Sequence, residues 1–276
     1  MRDMRDTLRA TFGRVLRIEN RRKAPRAGSL DHLQGFSRPV TIYLPPGYER
    51  GEARYPVLYM QDGQNLFEPE RAFIPGQHWR LNEAADLAIN ELTAGPMIIV
   101  GVDHAGPARI DEYTPTRDDS RNAGGKAGDY ARLLIDELKP VIDSRYRTHA
   151  GDTAAGGSSL GGLVSLYLGL TRPDVFHRIA AMSASVWWGG KSILQFVDRF
   201  EGQRPRMWVD VGGREGKDTL RDARALRDRL RAKGWTDADL GYLEEPRADH
   251  SERAWARRAR RMLEFLFPPV STRAPE

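Results

Sequence analysis

No cysteine occurs among the 276 residues, which removes structural disulfides, thiol nucleophiles and cysteine-based metal sites together. Long apolar runs are also missing. The most apolar stretches, such as Met97 to Val102, fall far short of the roughly 20 residues a membrane helix needs, so no membrane partner is expected. The chain has no H-x-x-x-H pair and no acidic loop of calcium-binding spacing, and neither a metal nor an organic cofactor is expected. Its first residues, MRDMRDTLRATFGRVLRIENRRK, set Asp and Glu among Arg without the apolar centre of a secretory signal. The chain therefore reads as cytoplasmic. Internal repeats and low-complexity blocks are absent.

What remains is a chain that is 40% apolar and long enough to bury roughly 75% of its unfolded surface without staples. One domain over 1–276 is expected, with 1–38 an N-terminal extension or extra strands, 39–267 the core and 271–276 a loose tail. Lys plus Arg number 43 and Asp plus Glu 38, a net charge of +5, which raises the question of a nucleic-acid partner. Two Arg groups carry much of the positive charge. Arg253, Arg257, Arg258, Arg260 and Arg261 share the last helical segment with an apolar stripe; Arg221, Arg224, Arg227, Arg229 and Arg231 alternate with Asp222 and Asp228. Both read as solvated faces of amphipathic helices. Without an accompanying nucleic-acid-binding motif, no nucleic-acid partner is expected.

Short apolar runs alternate with helix-period segments from about residue 40 onward, the pattern of an α/β fold with a mostly parallel central sheet and helices on both faces. Strands are expected at Val40 to Leu44, Val57 to Met60, Met97 to Val102, Thr153 to Gly157, Ile179 to Met182, Met207 to Val211 and Leu240 to Leu243. Helical spacing links Tyr130, Leu134, Leu138 and Val141, then Leu163, Leu166, Tyr167 and Leu170, then Trp255, Ala259, Met262 and Leu266. Pro140 should bend or end the first. Two stretches, 105–128 and 246–249, read as loops.

The chemistry centres on GGSSLGG, which holds a G-x-S-x-G at Gly157 to Gly161 between a strand and an amphipathic helix. That context is what a nucleophile elbow requires, and its glycines admit a turn too tight for a Cβ. A Gly-rich turn capping a helix is the plain alternative. If Ser159 is a nucleophile, a base must take its proton, and only His177 and His250 follow it. His177 precedes a strand, at the edge of the sheet away from the elbow. His250 lies in a loop between the last strand and the last helix, within reach of the sheet's carboxyl edge. The acid should leave the strand ending at Val211. Glu215 is the first choice and Asp218 the second, since Asp218 also reads as a first-turn acid on the next helix. The backbone N–H of Leu160 and of Gln64, in the QDGQN loop after the strand at 57–60, would receive the oxyanion; one such donor is worth about 2.7 to 4 kcal/mol.

Together LYMQDGQNLF, VGVDHAGPARIDEYTP, GGSSLGGLVSLYLGL, MSASVWW, VDVGGREG and DHSERAW resemble the esterase D and enterochelin-esterase-like enzymes of the α/β-hydrolase superfamily, to which carbohydrate esterase family 1 and the mycolyltransferases are related. The resemblance covers about 39–267. It implies a serine esterase without cofactor, with Ser159 as nucleophile, His250 as base, Glu215 at the acid position, and Gln64 and Leu160 as oxyanion donors. The acid is where the chain departs from the pattern, because many relatives carry Asp there and some work with little or none. Trp187, Trp188 and Tyr113 are candidate walls for a small-molecule or sugar-linked ester, against a core role for one of the tryptophans. Arg109, Asp111 and Glu112 read as substrate contacts or, more simply, as solvent-facing charges. An acyltransferase with the same triad and a non-catalytic binding protein are the alternatives to a hydrolase.

Overall fold

Each expected strand is short, apolar and required to bury side chains on both faces, and a computed structural model describing residues 26–269 brings all seven into one eight-stranded sheet. In chain order, β1 (Ser29–Leu33) and β2 (Val40–Leu44) precede β3 (Tyr55–Gln61), α1 (Leu81–Asn90) and β4 (Ile98–Val102). A short α2 (Arg109–Glu112) and a hairpin of β5 (Arg117–Asp118) and β6 (Ala123–Gly124) follow. Next come α3 (Ala127–Arg132), a π-helical stretch Leu133–Leu138, α4 (Lys139–Arg145), β7 (Thr148–Ser158) and α5 (Leu160–Thr171). The remainder is β8 (Phe176–Met182), α6 (Trp188–Arg199), β9 (Arg206–Gly212), α7 (Lys217–Ala232), β10 (Leu240–Glu245) and α8 (Glu252–Leu266).

The sheet order is β1-β2-β4-β3-β7-β8-β9-β10. The pairs β1–β2 and β2–β4 are antiparallel, and the rest are parallel. Alternate side chains feed two cores, as the two-residue strand period demands. Val57, Tyr59, Ile179, Ala181 and Val209 join one core with Tyr130, Leu163, Ile193 and Leu226 from α3, α5, α6 and α7. Leu58, Met60, Ala180, Met182 and Trp208 join the other with Leu81 of α1 and Trp255 and Met262 of α8. From β3 the chain runs to β4 on one side and later to β7 on the other. Such a reversal of winding opens a crevice at the strands' carboxyl ends, where ligands bind in sheets of this kind.

Several expectations need correcting. The stretch 105–128 is not a plain loop, since it holds α2 and the β5–β6 hairpin. Pro140 does not end its helix. It stands in the first turn of α4, where its missing N–H costs little, and the chain reaches it through the wider π turn. Arg258 is not on a solvated face but 1% exposed, and Asp222 is likewise buried, paired with Lys191 at 2.6 Å. Of the expected N-terminal extension, β1 is an antiparallel edge strand; residues 1–25 and the tail at 271–276 lie outside the described residues.

Where β7 meets α5 the backbone is tight. A Cβ on Gly157 would lie 2.8 Å from the carbonyl carbon of Gly161 and 3.0 Å from Cβ of Gln61, so strand and helix pack closer than any side chain permits. Gly157→Ala is expected to lower unfolding free energy by about 1 to 3 kcal/mol through overpacking, as measured by urea denaturation. A loss below about 0.5 kcal/mol, the range of ordinary surface substitutions, would show that the contact has slack.

Candidate active site

The ends of β7, β8 and β9 align in register, with Ser158 opposite Met182 and Met182 opposite Asp210. Ser159 stands one residue beyond, at φ 56° and ψ −120°, a left-handed position unusual for a residue with a Cβ. Its N–H donates to the Met182 carbonyl at 3.0 Å, and its own carbonyl accepts from Leu163 at 3.1 Å and Ser185 at 3.0 Å. These bonds over-determine the turn, which offsets a strain of about 1 to 3 kcal/mol. The Ser159 hydroxyl lies 3.3 Å from Oγ of Ser185 rather than in hydrogen-bond contact with His250.

Ser159 and His250 share a cavity of ≈ 440 Å³ with Gln64, Asp62, Arg109 and Glu252. The exposed Phe73 and Ile110 stand at its rim, alongside Pro107 and Trp255. A larger groove of ≈ 900 Å³ between α1 and α8 is lined by Arg80, Arg253, Arg257 and Arg260, but contains neither Ser159 nor His250. Among the described residues no group of three or more His, Asp and Glu is arranged to hold a metal ion.

Glu215, and not Asp218, stands at the histidine. Its Oε2 is 2.8 Å from Nδ1 of His250, and the carboxylate is 1% exposed. Oε1 accepts from Ser183 Oγ at 2.5 Å and from the Gly212 N–H at 2.7 Å. Burial alone would raise the Glu215 carboxyl, but the bonds from His250, Ser183 and Gly212 outweigh it and hold it below its ordinary value. Asp218 is exposed and pairs with Arg221 at 2.8 Å on α7. The His250 ring packs edge-on against Trp255, with centroids 4.9 Å apart, and Ser251 caps α8 by accepting from the Ala254 N–H.

Across the cavity, Asp62 takes a left-handed conformation (φ 57°) ahead of the short 3₁₀ turn Gly63–Asn65. The Arg109 guanidinium grips its carboxylate at 2.7 and 2.8 Å, and Tyr113 accepts its N–H at 3.2 Å. Among the described residues, neither the Gln64 nor the Leu160 N–H donates to a backbone acceptor. The Gln64 side chain instead accepts the His104 N–H at 3.3 Å. Burial pulls the His104 imidazole below its ordinary value, and its Nδ1 accepts from Gly106 at 2.9 Å.

Tyr113, Trp187 and Trp188 do not line this cavity. Tyr113 is fully buried against Tyr130, and Trp188 is 2% exposed with its indole donating to the Thr116 carbonyl at 2.8 Å. Trp187 is the exposed member of the pair, under the Arg121 guanidinium. Both buried aromatics have partners for their polar atoms and apolar neighbours for their rings, which is why they are drawn inward. Arg109 reaches the cavity, whereas Asp111 pairs with Lys126 and Glu112 with Arg38. Asp62, Asn65, His104 and Glu252 escaped the sequence reading. A first-turn Glu carries no signal beyond a helix-dipole acid, and Asp62 reads as turn chemistry.

Because the Glu215 carboxyl is depressed below its ordinary value of 4.5, its stabilisation is full above that value and is lost as pH falls through the lower folded value. Glu215→Gln should therefore cost stability at pH 7, and the gap to the parent should narrow as pH falls below about 4.5. Equilibrium unfolding of both proteins across that range checks it; a gap independent of pH would contradict it.

A family model described as "Putative esterase" matches residues 34–266. YbbA of Bacillus subtilis is 25% identical over 254 residues, spanning 87% of this chain and 96% of that one. The ferri-bacillibactin esterase BesA of the same organism is 31% identical over 181 residues, 60% of this chain and 57% of BesA. In structure, an IroE-like serine hydrolase from Shewanella oneidensis matches with a TM-score of 0.71 at 21% identity, over 87% of this chain and 80% of that one. The BES protein from Bacillus cereus matches with a TM-score of 0.68 at 21% identity, over 88% and 95%. The chain belongs to this esterase family and is a carboxylic ester hydrolase with the α/β-hydrolase fold.

Proposed function

We propose that ester hydrolysis runs through an acyl-enzyme on Ser159. The observation that carries this reading is the His250 imidazole, anchored at Nδ1 by a buried Glu215 and opening with Ser159 into one cavity. With Nδ1–H held by the carboxylate, Nε2 is left to accept a proton. A change of χ1 rotamer carries the Ser159 hydroxyl from Ser185 towards that nitrogen. Oγ then bonds to the ester carbon as its proton passes to Nε2. The carbonyl oxygen takes the negative charge between the N–H groups of Leu160 and Gln64. Collapse breaks the bond to the alcohol, which leaves with the proton from Nε2, and water repeats the sequence to free the acid.

The rim supports an ester with a bulky apolar or aromatic group, since Phe73, Ile110 and Pro107 offer apolar surface beside the reacting centre. Relatives include a ferri-bacillibactin esterase and an endo-1,4-beta-xylanase/feruloyl esterase, of which the chain spans 57% and 30%. An aromatic acyl or alcohol group in a small-molecule ester is the substrate class proposed here.

Ser159→Ala is expected to remove at least about 99% of p-nitrophenyl acetate hydrolysis and all labelling by a fluorophosphonate, with the melting temperature retained. Hydrolysis above a few per cent of the parent rate, from protein free of contaminating esterase, would overturn the nucleophile assignment.

A further inference from the structure

Two carboxyl groups line the cavity besides the groups assigned above. Asp62 is neutralised by the Arg109 fork, whereas Glu252 has no cationic partner within 4 Å among the described residues. Instead it accepts from two neutral donors, Asn65 Nδ2 at Oε1 (3.0 Å) and the Trp79 indole N–H at Oε2. Those donors are the two ends of one segment. Asn65 directly follows Gln64, its N–H donates to the Asp62 carbonyl at 2.9 Å, and its carbonyl accepts from the Trp79 N–H at 2.8 Å. Its side-chain oxygen accepts the Phe73 N–H at 2.8 Å. Glu252 itself lies two residues past His250, in the first turn of α8. One carboxyl thus joins the segment bearing the proposed oxyanion donor to the start of the helix that directly follows the proposed base, across 187 positions of sequence.

We propose that Glu252 is a positioning residue for the hydrolysis, holding Gln64 and His250 in a single frame through Asn65 and Trp79; this rests on the roles given to those two residues above. Displacements of about 1 Å in such a frame are enough to cost 100-fold in rate. The ionised carboxyl is the form that accepts both bonds. The group is raised to about 7 on balance, since burial and the Asp62 carboxylate push it up further than the Trp79 bond, Arg109 and His250 pull it down. His104 is the other titratable group at the cavity wall. As pH falls through about 7, one oxygen becomes a donor facing a donor, and the frame loosens.

The test compares the parent, Glu252→Gln, Trp79→Phe and the double variant, using p-nitrophenyl acetate from pH 5 to 9 alongside thermal melting. Glu252→Gln turns an amide NH₂ towards one of the two donors and is expected to lower kcat about 10- to 100-fold, with KM within about threefold. Trp79→Phe removes the bond that pulls the carboxyl down, so the acid limb of the parent profile should move to higher pH. In the Glu252→Gln background the same change should move nothing. A kcat equal to the parent's in Glu252→Gln, or a Trp79→Phe shift that persists in the double variant, would overturn the proposal. If Glu252→Gln fails to fold, an unmoved limb in Trp79→Phe alone does so. Loss of activity in Ser159→Ala beside a parental Glu252→Gln sinks only this inference; activity in Ser159→Ala sinks the reading beneath it.

Discussion

A single buried guanidinium balances the acid side of the site. Arg258, on the inward face of α8, sets Nη2 3.0 Å from Asp210, 2.8 Å from Ser183 Oγ and 3.8 Å from Glu215. All three charged side chains are at most 2% exposed. Two carboxylates this deep and this close would repel, and burial pushes Asp210 up even with Arg258 beside it. Removing one member of such a group leaves a buried charge uncompensated, a loss of about 3 to 5 kcal/mol. The cation offsets Asp210 directly, while the bonds from His250, Ser183 and Gly212 hold Glu215 below its ordinary value. It also fixes Ser183 by a second bond, and the Trp255 indole donates to the same hydroxyl at 3.0 Å, so the packing of α8 on the sheet and the electrostatics of the histidine are one arrangement.

The opposite wall has its own balance. The Arg109 fork neutralises Asp62 and, with Tyr113, pins a left-handed residue immediately before the Gly63–Asn65 turn. Arg38 grips Glu112 in the same bidentate manner, at 2.8 Å in both contacts. Of the charges in 105–128, Arg109 reaches inward to Asp62 and Glu112 is held by Arg38, forks that keep the carboxylates in a fixed plane. The two walls are built alike in one respect: each sets an arginine against its carboxylate, Arg258 at Asp210 and Arg109 at Asp62.

How much of this is legible in the sequence follows from range. Strand positions depend on local composition, and Val40–Leu44 is found with the expected bounds, while β7 extends well before Thr153 because Thr148 also pairs, with Tyr55 of β3. The elbow at Ser159 is legible because its glycines recur at fixed spacing between a strand pattern and a helix pattern, although the contacts that demand them also come from Gln61, Asp62 and Met182. In the sequence Glu215 is set apart from Asp218 by its nearness to the strand end and by Asp218's place in the first turn of the next helix, and it is Glu215 whose carboxylate lies 2.8 Å from Nδ1 of His250. Arg258 was not legible: it sits among Arg257, Arg260 and Arg261 in a run that looks uniformly solvated. The helical period brings it under the sheet, but its partners Asp210 and Ser183 lie far away in the chain. Trp188 and Tyr113 failed for a related reason, since a residue after a strand can turn up towards the cleft or down into the core, and only distant partners such as Thr116 decide which.

The placement of α8 has a consequence for how the molecule is made. Translation delivers the sheet and its cargo of buried acids before it delivers the helix that answers them. Until residues 252–266 emerge and dock, Asp210 and Glu215 have no counter-charge and the Trp79 indole has no acceptor. A nascent chain at that stage can hold most of its sheet yet cannot keep two carboxylates in its interior, so they must stay protonated or in contact with water. Docking of one helix then closes the core, fixes the histidine loop and brings the Arg258 guanidinium to both carboxyls in a single step.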